Sequence, residues 1–314
     1  MQQWAVVFPG QGSQQVGMLA DLAAAYPVLK ESFAEASDAL GYDLWDLIQN
    51  GDQEQLNLTE YTQPVLLASS VAIWRLWLSQ GGRKPVAMAG HSLGEFSALV
   101  CAGALDFADA LRLVRARGQF MQTAVPVGVG AMAAVMGLDD DGIAEACRQS
   151  GGDEVVEAVN FNAPGQVVIA GHAAAVERAS QACKELGAKR AVGLPVSAPF
   201  HTSLMRPAGE RLAEVLADVA IKTPEIPVVH NVHAQTESDP ARIEALLVEQ
   251  IYSPVKWVAC VQKLVDTGVE VALECGPGKV LSGLNKRIHK PLTSFNSDSP
   301  AAFEAALAAQ QEEV

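Results

Sequence analysis

The sequence feature that most constrains the fold is the turn Gly90-His91-Ser92-Leu93-Gly94, which lies between two short apolar stretches. An apolar strand, a Gly-x-Ser-x-Gly turn and an apolar helix, in that order, predict a nucleophile elbow at the end of a sheet strand. Glycines are needed on both sides of the serine because a side chain there would strike the neighbouring strand or helix. Ser92 is therefore our candidate nucleophile, and the N–H of Leu93 is expected to point at a developing oxyanion.

Strand-like and helix-like segments alternate over most of the 314 residues, which predicts an α/β fold with a layered core and a largely parallel sheet. Between residues 127 and 197 the predicted order changes to β-α-β-β-α-β, which is typical of a ferredoxin-like unit. We therefore expect a main domain built from residues 1–126 and 198–314, with a ferredoxin-like subdomain inserted at residues 127–197. The Ala-rich tail after Ser299 is expected to form a terminal helix or a frayed end.

Composition narrows the classes of function. The formal net charge of −14 argues against nucleic acid and anionic membranes as partners. No apolar run approaches the roughly 20 residues of a membrane span, and the first residues lead into a strand without a basic signal-peptide region. The five cysteines are dispersed without a Cys-x-x-Cys pair, which indicates reduced thiols and no zinc site. We therefore expect a cytoplasmic protein.

Two further stretches supply candidate partners for Ser92. The loop at residues 9–14 lacks the glycine spacing and the lysine of a nucleotide site, so it is either an ordinary turn or a loop whose Gln11 N–H faces a ligand. Among the six histidines, His201 stands in a Pro-flanked loop between the inserted subdomain and the main domain, where a cleft is expected. His91 is expected to point away from the nucleophile and to serve in packing.

A helix that begins at Asp106 carries Arg112, Arg115 and Arg117, and we expect Gly118 to end it. Arginines at a helix end usually remain in solvent, where they complement the helix dipole. The residues alone therefore leave open whether Arg117 is a surface charge or a ligand-binding cation.

The ordered combination of these motifs resembles the malonyl-CoA:acyl carrier protein transacylases of type II fatty acid synthesis. The resemblance rests on the FPGQGSQ and GHSLGE motifs, Arg117, His201 and the Gly276-Pro277-Gly278 turn. It runs from Met1 to about Asn296 and implies an α/β-hydrolase-like core with a ferredoxin-like insertion.

The resemblance also implies a mechanism. Ser92 would take the malonyl group as an ester, and His201 would act as its base. A main-chain carbonyl near Gln250 would orient the histidine, and the backbone N–H groups of Gln11 and Leu93 would form the oxyanion hole. Transfer would be ping-pong, with malonyl-CoA and acyl carrier protein as partners and with no metal or redox cofactor.

Two kinds of charged residue acquire roles from the resemblance. Arg117 would hold the free carboxylate of the malonyl group in a two-pronged ion pair. Because CoA phosphates and acyl carrier protein are both anionic, the acidic chain needs a local basic face for docking. The candidates for this face, against ordinary solvated charges, are Lys189, Arg190, Lys286, Arg287 and Lys290.

Three alternatives remain. A serine thioesterase or esterase would place its histidine near the C-terminus, whereas His201 lies well before it. The Gly10-Gln11-Gly12 loop, which precedes the nucleophile, also counts against that class. An acyltransferase subunit of another malonyl pathway, such as malonate decarboxylation or polyketide assembly, fits the same residues. A non-catalytic carrier-protein scaffold is disfavoured by the presence of Ser92, His201 and Arg117.

Overall fold

The computed structural model describes residues 2–196 and 198–311, which form two sheets flanked by helices. The strands are β1 Gln3–Phe8, β2 Ala87–Gly90, β3 Gly130–Met136, β4 Val156–Ala163, β5 Gln166–His172, β6 Arg190–Gly193, β7 Val228–Val229, β8 Val269–Glu274 and β9 Thr293–Asn296. The helices are α1 Ala20–Ala25, α2 Leu29–Leu40, α3 Leu44–Asn50, α4 Gln53–Leu56, α5 Thr59–Ser79, α6 Leu93–Cys101, α7 Phe107–Thr123, α8 Asp140–Gly151, α9 Ala173–Glu185, α10 Arg206–Leu216, α11 Pro240–Gln250, α12 Trp257–Asp266, α13 Val280–Ile288 and α14 Pro300–Gln311.

The larger sheet has the strand order β7-β2-β1-β8-β9, and all of its pairs are parallel. Its central strand β1 is buried on both faces: Trp4 and Val6 pack into one apolar cluster, and Ala5 and Val7 pack into another. Helices on both sides of a parallel sheet require such continuous apolar strands. The predicted α/β core is therefore confirmed.

The smaller sheet has the order β4-β5-β3-β6 and is antiparallel throughout. Helices α8 and α9 pack with it around an apolar cluster of its own. This arrangement confirms the predicted ferredoxin-like insertion. The limits at residues 127 and 197 stay a prediction, and residue 197 lies outside the described residues.

Helix α7 differs from the sequence prediction, because it passes Gly118 and continues to Thr123. The prediction that Gly118 ends this helix was wrong. A Cβ at Gly118 would lie 2.5 Å from the carbonyl oxygen of Thr59, so the glycine is needed for close packing of α7 on α5. Arg117 consequently lies inside the helix and is buried, with 1% of its surface exposed.

Strand β7 is only two residues long and ends at Val229. The next two residues, His230 and Asn231, leave the sheet and hydrogen-bond to the carboxylate of Glu95 in the first turn of α6.

In the described part of the chain, no helix combines the length and the hydropathy that a membrane crossing requires.

Candidate active site

The elbow between β2 and α6 has the strained geometry that its sequence predicts. Ser92 adopts φ 51° and ψ −108°, a conformation that L-residues rarely adopt. A Cβ at Gly90 would lie 1.9 Å from the backbone of Gly94, and one at Gly94 would lie 2.1 Å from the oxygen of Phe8. The backbone N–H of Ser92 donates to Asn231 Oδ1 at 2.8 Å, which helps to hold the turn.

His201 lies beside the candidate nucleophile. Its Nε2 is 2.8 Å from Ser92 Oγ, and its Nδ1 is 2.8 Å from the main-chain oxygen of Gln250. Because a carbonyl oxygen can only accept, Nδ1 carries the proton and Nε2 is free to accept the serine proton. Burial and the positive charge of Arg117 lower the pKa of His201 to about 3, so the imidazole is neutral at pH 7.

Two backbone N–H groups near Ser92 remain without acceptors among residues 2–196 and 198–311. One belongs to Leu93 at the start of α6, and the other to Gln11 in the loop after β1. The side chain of Gln11 donates to Thr59 Oγ1 at 3.1 Å and so turns away. A Cβ at Gly10 would lie 2.6 Å from the oxygen of His91, so this loop packs directly against the elbow. The arrangement is suited to an oxyanion hole.

The guanidinium of Arg117 is held at the same site by neutral groups. Its Nη1 donates to Gln63 Oε1 at 2.8 Å, and its Nη2 donates to Gln250 Oε1 at 2.8 Å and to Ser92 Oγ at 3.2 Å. These bonds use three of its five N–H groups, and its Nε has no partner among the described residues. No carboxylate oxygen of those residues lies within 4.0 Å of it. Burial lowers the pKa of Arg117 to about 9, which still leaves it charged at pH 7.

His91 points away from the nucleophile, as expected. Its Nε2 lies 2.8 Å from Asn162 Oδ1, and its ring packs against Trp257. Burial lowers the pKa of His91. The elbow is therefore tied to the inserted subdomain through the β4 residue Asn162.

The sequence did not indicate the buried polar residues that hydrogen-bond to Arg117, to the Ser92 turn or to one another. These are Gln63, Glu95, His230 and Asn231. Glu95 could have been suspected, because it is the one charged residue of the mainly apolar helix α6. The other three lie in segments whose composition gives no indication of their role. They reach the site only through the packing of α5 and of the loop after β7.

The residues predicted to dock an anionic partner are all exposed, namely Lys189, Arg190, Lys286, Arg287 and Lys290. Arg190 and Arg287 lie near the same strand ends. Arg190 on β6 pairs with Met136 on β3, and Met136 pairs with Gln166 on β5. Arg287 on α13 donates to the side chain of Gln166, and also to the oxygen of Pro164 at 3.3 Å. Both basic groups thus lie at the same end of the antiparallel sheet.

No group of three or more histidine, cysteine or acidic side chains in the described residues could hold a metal ion. The polar groups that converge on Ser92 are instead a base, a cation and backbone donors. This set is suited to acyl transfer from an activated ester or thioester.

Comparisons with known proteins agree with this chemistry. A family model described as acyl transferase domain matches residues 5–304. A malonyl CoA-acyl carrier protein transacylase of Salmonella typhimurium is 59% identical over 307 residues, which cover 98% of this chain and 99% of that protein. The crystal structure of an acyl carrier protein S-malonyltransferase from Vibrio cholerae superposes with a TM-score of 0.95 at 56% identity, covering 97% of this chain and 99% of that one.

A second solved structure shows a related enzyme bound to a partner. It is a type II PKS acyl-carrier protein in complex with its malonyl-transacylase. Its matched chain has a TM-score of 0.97 and 54% identity, and the match covers 98% of this chain and 99% of that chain.

Proposed function

Since this chain belongs to the acyl transferase family, and within it to the malonyl CoA-acyl carrier protein transacylases, we propose that it moves malonyl groups from malonyl-CoA to acyl carrier protein. The acceptor is the phosphopantetheine thiol, and the product supplies malonyl units for fatty acid biosynthesis. The observation that carries this proposal is the buried guanidinium of Arg117, which lies 3.2 Å from Ser92 Oγ and is held by neutral amides. An acyl group that ends in a carboxylate supplies the anion this cation lacks.

The first half-reaction forms an ester on Ser92. The hydroxyl oxygen attacks the thioester carbonyl of malonyl-CoA while His201 Nε2 accepts its proton. The tetrahedral oxyanion is stabilised by the N–H groups of Gln11 and Leu93, at about 3 kcal/mol for each donor. When the tetrahedral intermediate collapses, the carbon–sulfur bond breaks. His201 gives its proton to the CoA sulfur, and CoA leaves as the thiol.

The second half-reaction regenerates the enzyme. The thiol of acyl carrier protein gives its proton to His201 and attacks the ester carbonyl, and the same N–H groups stabilise the oxyanion. The ester bond then breaks, the proton returns to Ser92, and a malonyl thioester leaves. No atom changes its oxidation state, so we propose that the CoA thioester is a substrate and that no cofactor takes part.

A carbonyl group is sufficient to orient the base in this scheme. The oxygen of Gln250 fixes the tautomer of His201, which is the task of the carboxylate in a Ser-His-Asp triad. A neutral acceptor leaves the imidazole with a lower proton affinity than a carboxylate would. This suits a base that must also return its proton to a thiolate.

We place the reaction in the cytoplasm. The five cysteines are all free thiols, and four of them are buried. Reduced, unpaired cysteines are typical of a reducing compartment.

The test is intact-protein mass spectrometry after brief incubation with malonyl-CoA, followed by addition of the holo form of acyl carrier protein. We expect a malonyl adduct that peptide mapping places on Ser92 and that the carrier protein removes. An adduct that is lost to water equally fast without carrier protein would identify a thioesterase instead. Absence of any adduct would leave a non-catalytic scaffold, and a different preferred acceptor would point to another malonyl pathway.

We also propose a docking face for acyl carrier protein, formed by exposed basic residues. These are Lys189, Arg190, Lys286, Arg287 and Lys290. Lys286→Glu and Arg190→Glu are each expected to raise the KM for acyl carrier protein about 10-fold at low salt, because charge reversal weakens electrostatic steering. Steady-state transfer assays at two salt concentrations measure this effect.

The matched control is Lys30→Glu, which makes the same charge change at an exposed residue of α2. We expect this variant to leave the KM unchanged. Arg287 is less suitable for the test, because it also binds Gln166 and Pro164 of the inserted subdomain. A KM that is equal in wild type, Lys286→Glu and Arg190→Glu would rule out this docking face.

A further inference from the structure

A fully buried carboxylate lies behind the nucleophile and has no part in the mechanism above. Both Glu95 and His230 are 0% exposed, and Glu95 Oε1 is 2.7 Å from His230 Nδ1. The other oxygen, Oε2, accepts from the backbone N–H of Asn231 at 2.9 Å and from the side-chain amide of Gln250 at 2.9 Å. One carboxylate thus joins α6, the loop after β7 and the end of α11.

The side chain of Gln250 lies between two opposite charges. Its Oε1 accepts from Arg117 Nη2 at 2.8 Å, and its Nε2 donates to Glu95 Oε2. The same Nε2 also lies 3.1 Å from the main-chain oxygen of Ser92. The buried cation and the buried anion are therefore connected through one neutral amide and do not touch each other.

This spacing has a physical consequence for the cation. A carboxylate in direct contact would occupy the guanidinium and compete with a carboxylate on the substrate. With no anion nearby, the buried charge would be costly, and burial alone would favour loss of its proton. Burial lowers the pKa of Arg117, and the charge of Glu95 opposes that shift. An anion held one amide away keeps Arg117 charged and oriented while leaving its remaining N–H groups for substrate.

We propose that Glu95 and the side-chain amide of Gln250 are positioning residues that set the preference of the site for an acyl group with a free carboxylate. This inference rests on the proposed transfer of malonyl groups. It concerns the side chain of Gln250, whereas the contact with His201 uses the main-chain oxygen. The preference therefore depends on where the buried negative charge lies as well as on the presence of the arginine.

The test moves the charge without changing the composition of the network. The double variant Glu95→Gln/Gln250→Glu keeps one carboxylate and one amide but places the carboxylate in contact with Arg117. We expect the ratio of the malonyl to the acetyl kcat/KM for loading of Ser92 to fall about 10-fold or more, mainly through a higher KM for malonyl-CoA. A purely structural network would tolerate the exchange with its ratio unchanged, and that result would overturn the inference.

Glu274→Gln is the matched control. Glu274 is also 0% exposed and accepts three hydrogen bonds, from Leu281 N at 3.1 Å and from Ser282 N and Oγ at 2.8 Å each. This substitution also removes a buried carboxylate, but one that takes no part in the hydrogen bonds of Arg117. We expect a loss of thermal stability without a change in the malonyl-to-acetyl ratio.

Wild type separates the two hypotheses. If wild type forms no malonyl ester on Ser92, the proposed function fails whatever the variants do. If wild type forms the ester and passes it to acyl carrier protein, a ratio retained in the double variant overturns only the role of Glu95 and Gln250. Should circular dichroism show that the double variant does not fold, Gln250→Met replaces it under the same criterion, since it removes only the bridging amide at similar volume.

Discussion

Replacing Ser92 by alanine is expected to abolish the malonyl adduct, and replacing His201 by alanine is expected to slow its formation by about 10²- to 10⁴-fold. The first change removes the oxygen that forms the ester. The second leaves that oxygen in place but removes the group that takes its proton, since Ser92 Oγ and His201 Nε2 are 2.8 Å apart. Rapid-quench loading assays with radiolabelled malonyl-CoA measure both rates.

The pH dependence of wild type supplies the internal check. Burial and the charge of Arg117 lower the pKa of His201 to about 3. The basic form therefore persists as the pH falls, and kcat/KM for loading is expected to stay level between pH 8 and pH 5. An imidazole with the usual pKa of about 6.5 would lose about 30-fold over that interval. A loss with a midpoint near 6.5, or normal loading by His201→Ala, would contradict the role given to this histidine.

The local parts of this site could be predicted from the sequence because their causes are local. Gly90 and Gly94 flank Ser92 for steric reasons that act within one turn, and the structure shows both close approaches. The order of strands and helices also follows from periodicity within single segments. This is why the parallel core and the ferredoxin-like insertion were correctly anticipated.

The support of the site could not be predicted in the same way, because it depends on contacts between distant segments. Gln63 and Arg117 meet only when α5 packs on α7. The local sequence predicts a helix end at Gly118, whereas this glycine permits the packing of the two helices. Asn231 is an ordinary polar residue until the fold brings it to the elbow, and the family resemblance points to Gln250 only for its main-chain carbonyl. Packing between distant segments overrides the local preference of a glycine to end a helix. A buried hydrogen-bond network that depends on such packing cannot be predicted from a single sequence.

Replacing Arg117 by alanine is expected to lower malonyl loading by about 10²- to 10³-fold while acetyl loading falls much less, so that the preference for malonyl is lost. The substrate carboxylate would then enter a buried site without a cation, and burying an unpaired charge is costly. In wild type the unpaired partner is the guanidinium, which disfavours acetyl because acetyl brings no anion to it. Mass spectrometry of Ser92 after incubation with equal amounts of malonyl-CoA and acetyl-CoA measures the preference directly.

Arg112→Ala is the matched control for this prediction. Arg112 lies on the same helix but is exposed, with an ion pair to Asp109 at 3.1 Å that contributes little to stability. We expect it to load malonyl at the wild-type rate. Retention of the malonyl preference by Arg117→Ala would mean that the selectivity comes from the shape of the acyl pocket. Loss of malonyl and acetyl loading to the same extent would instead assign Arg117 to holding Ser92, whose hydroxyl it contacts at 3.2 Å. The ratio of the two loading rates therefore decides whether this cation recognises the substrate or supports the nucleophile.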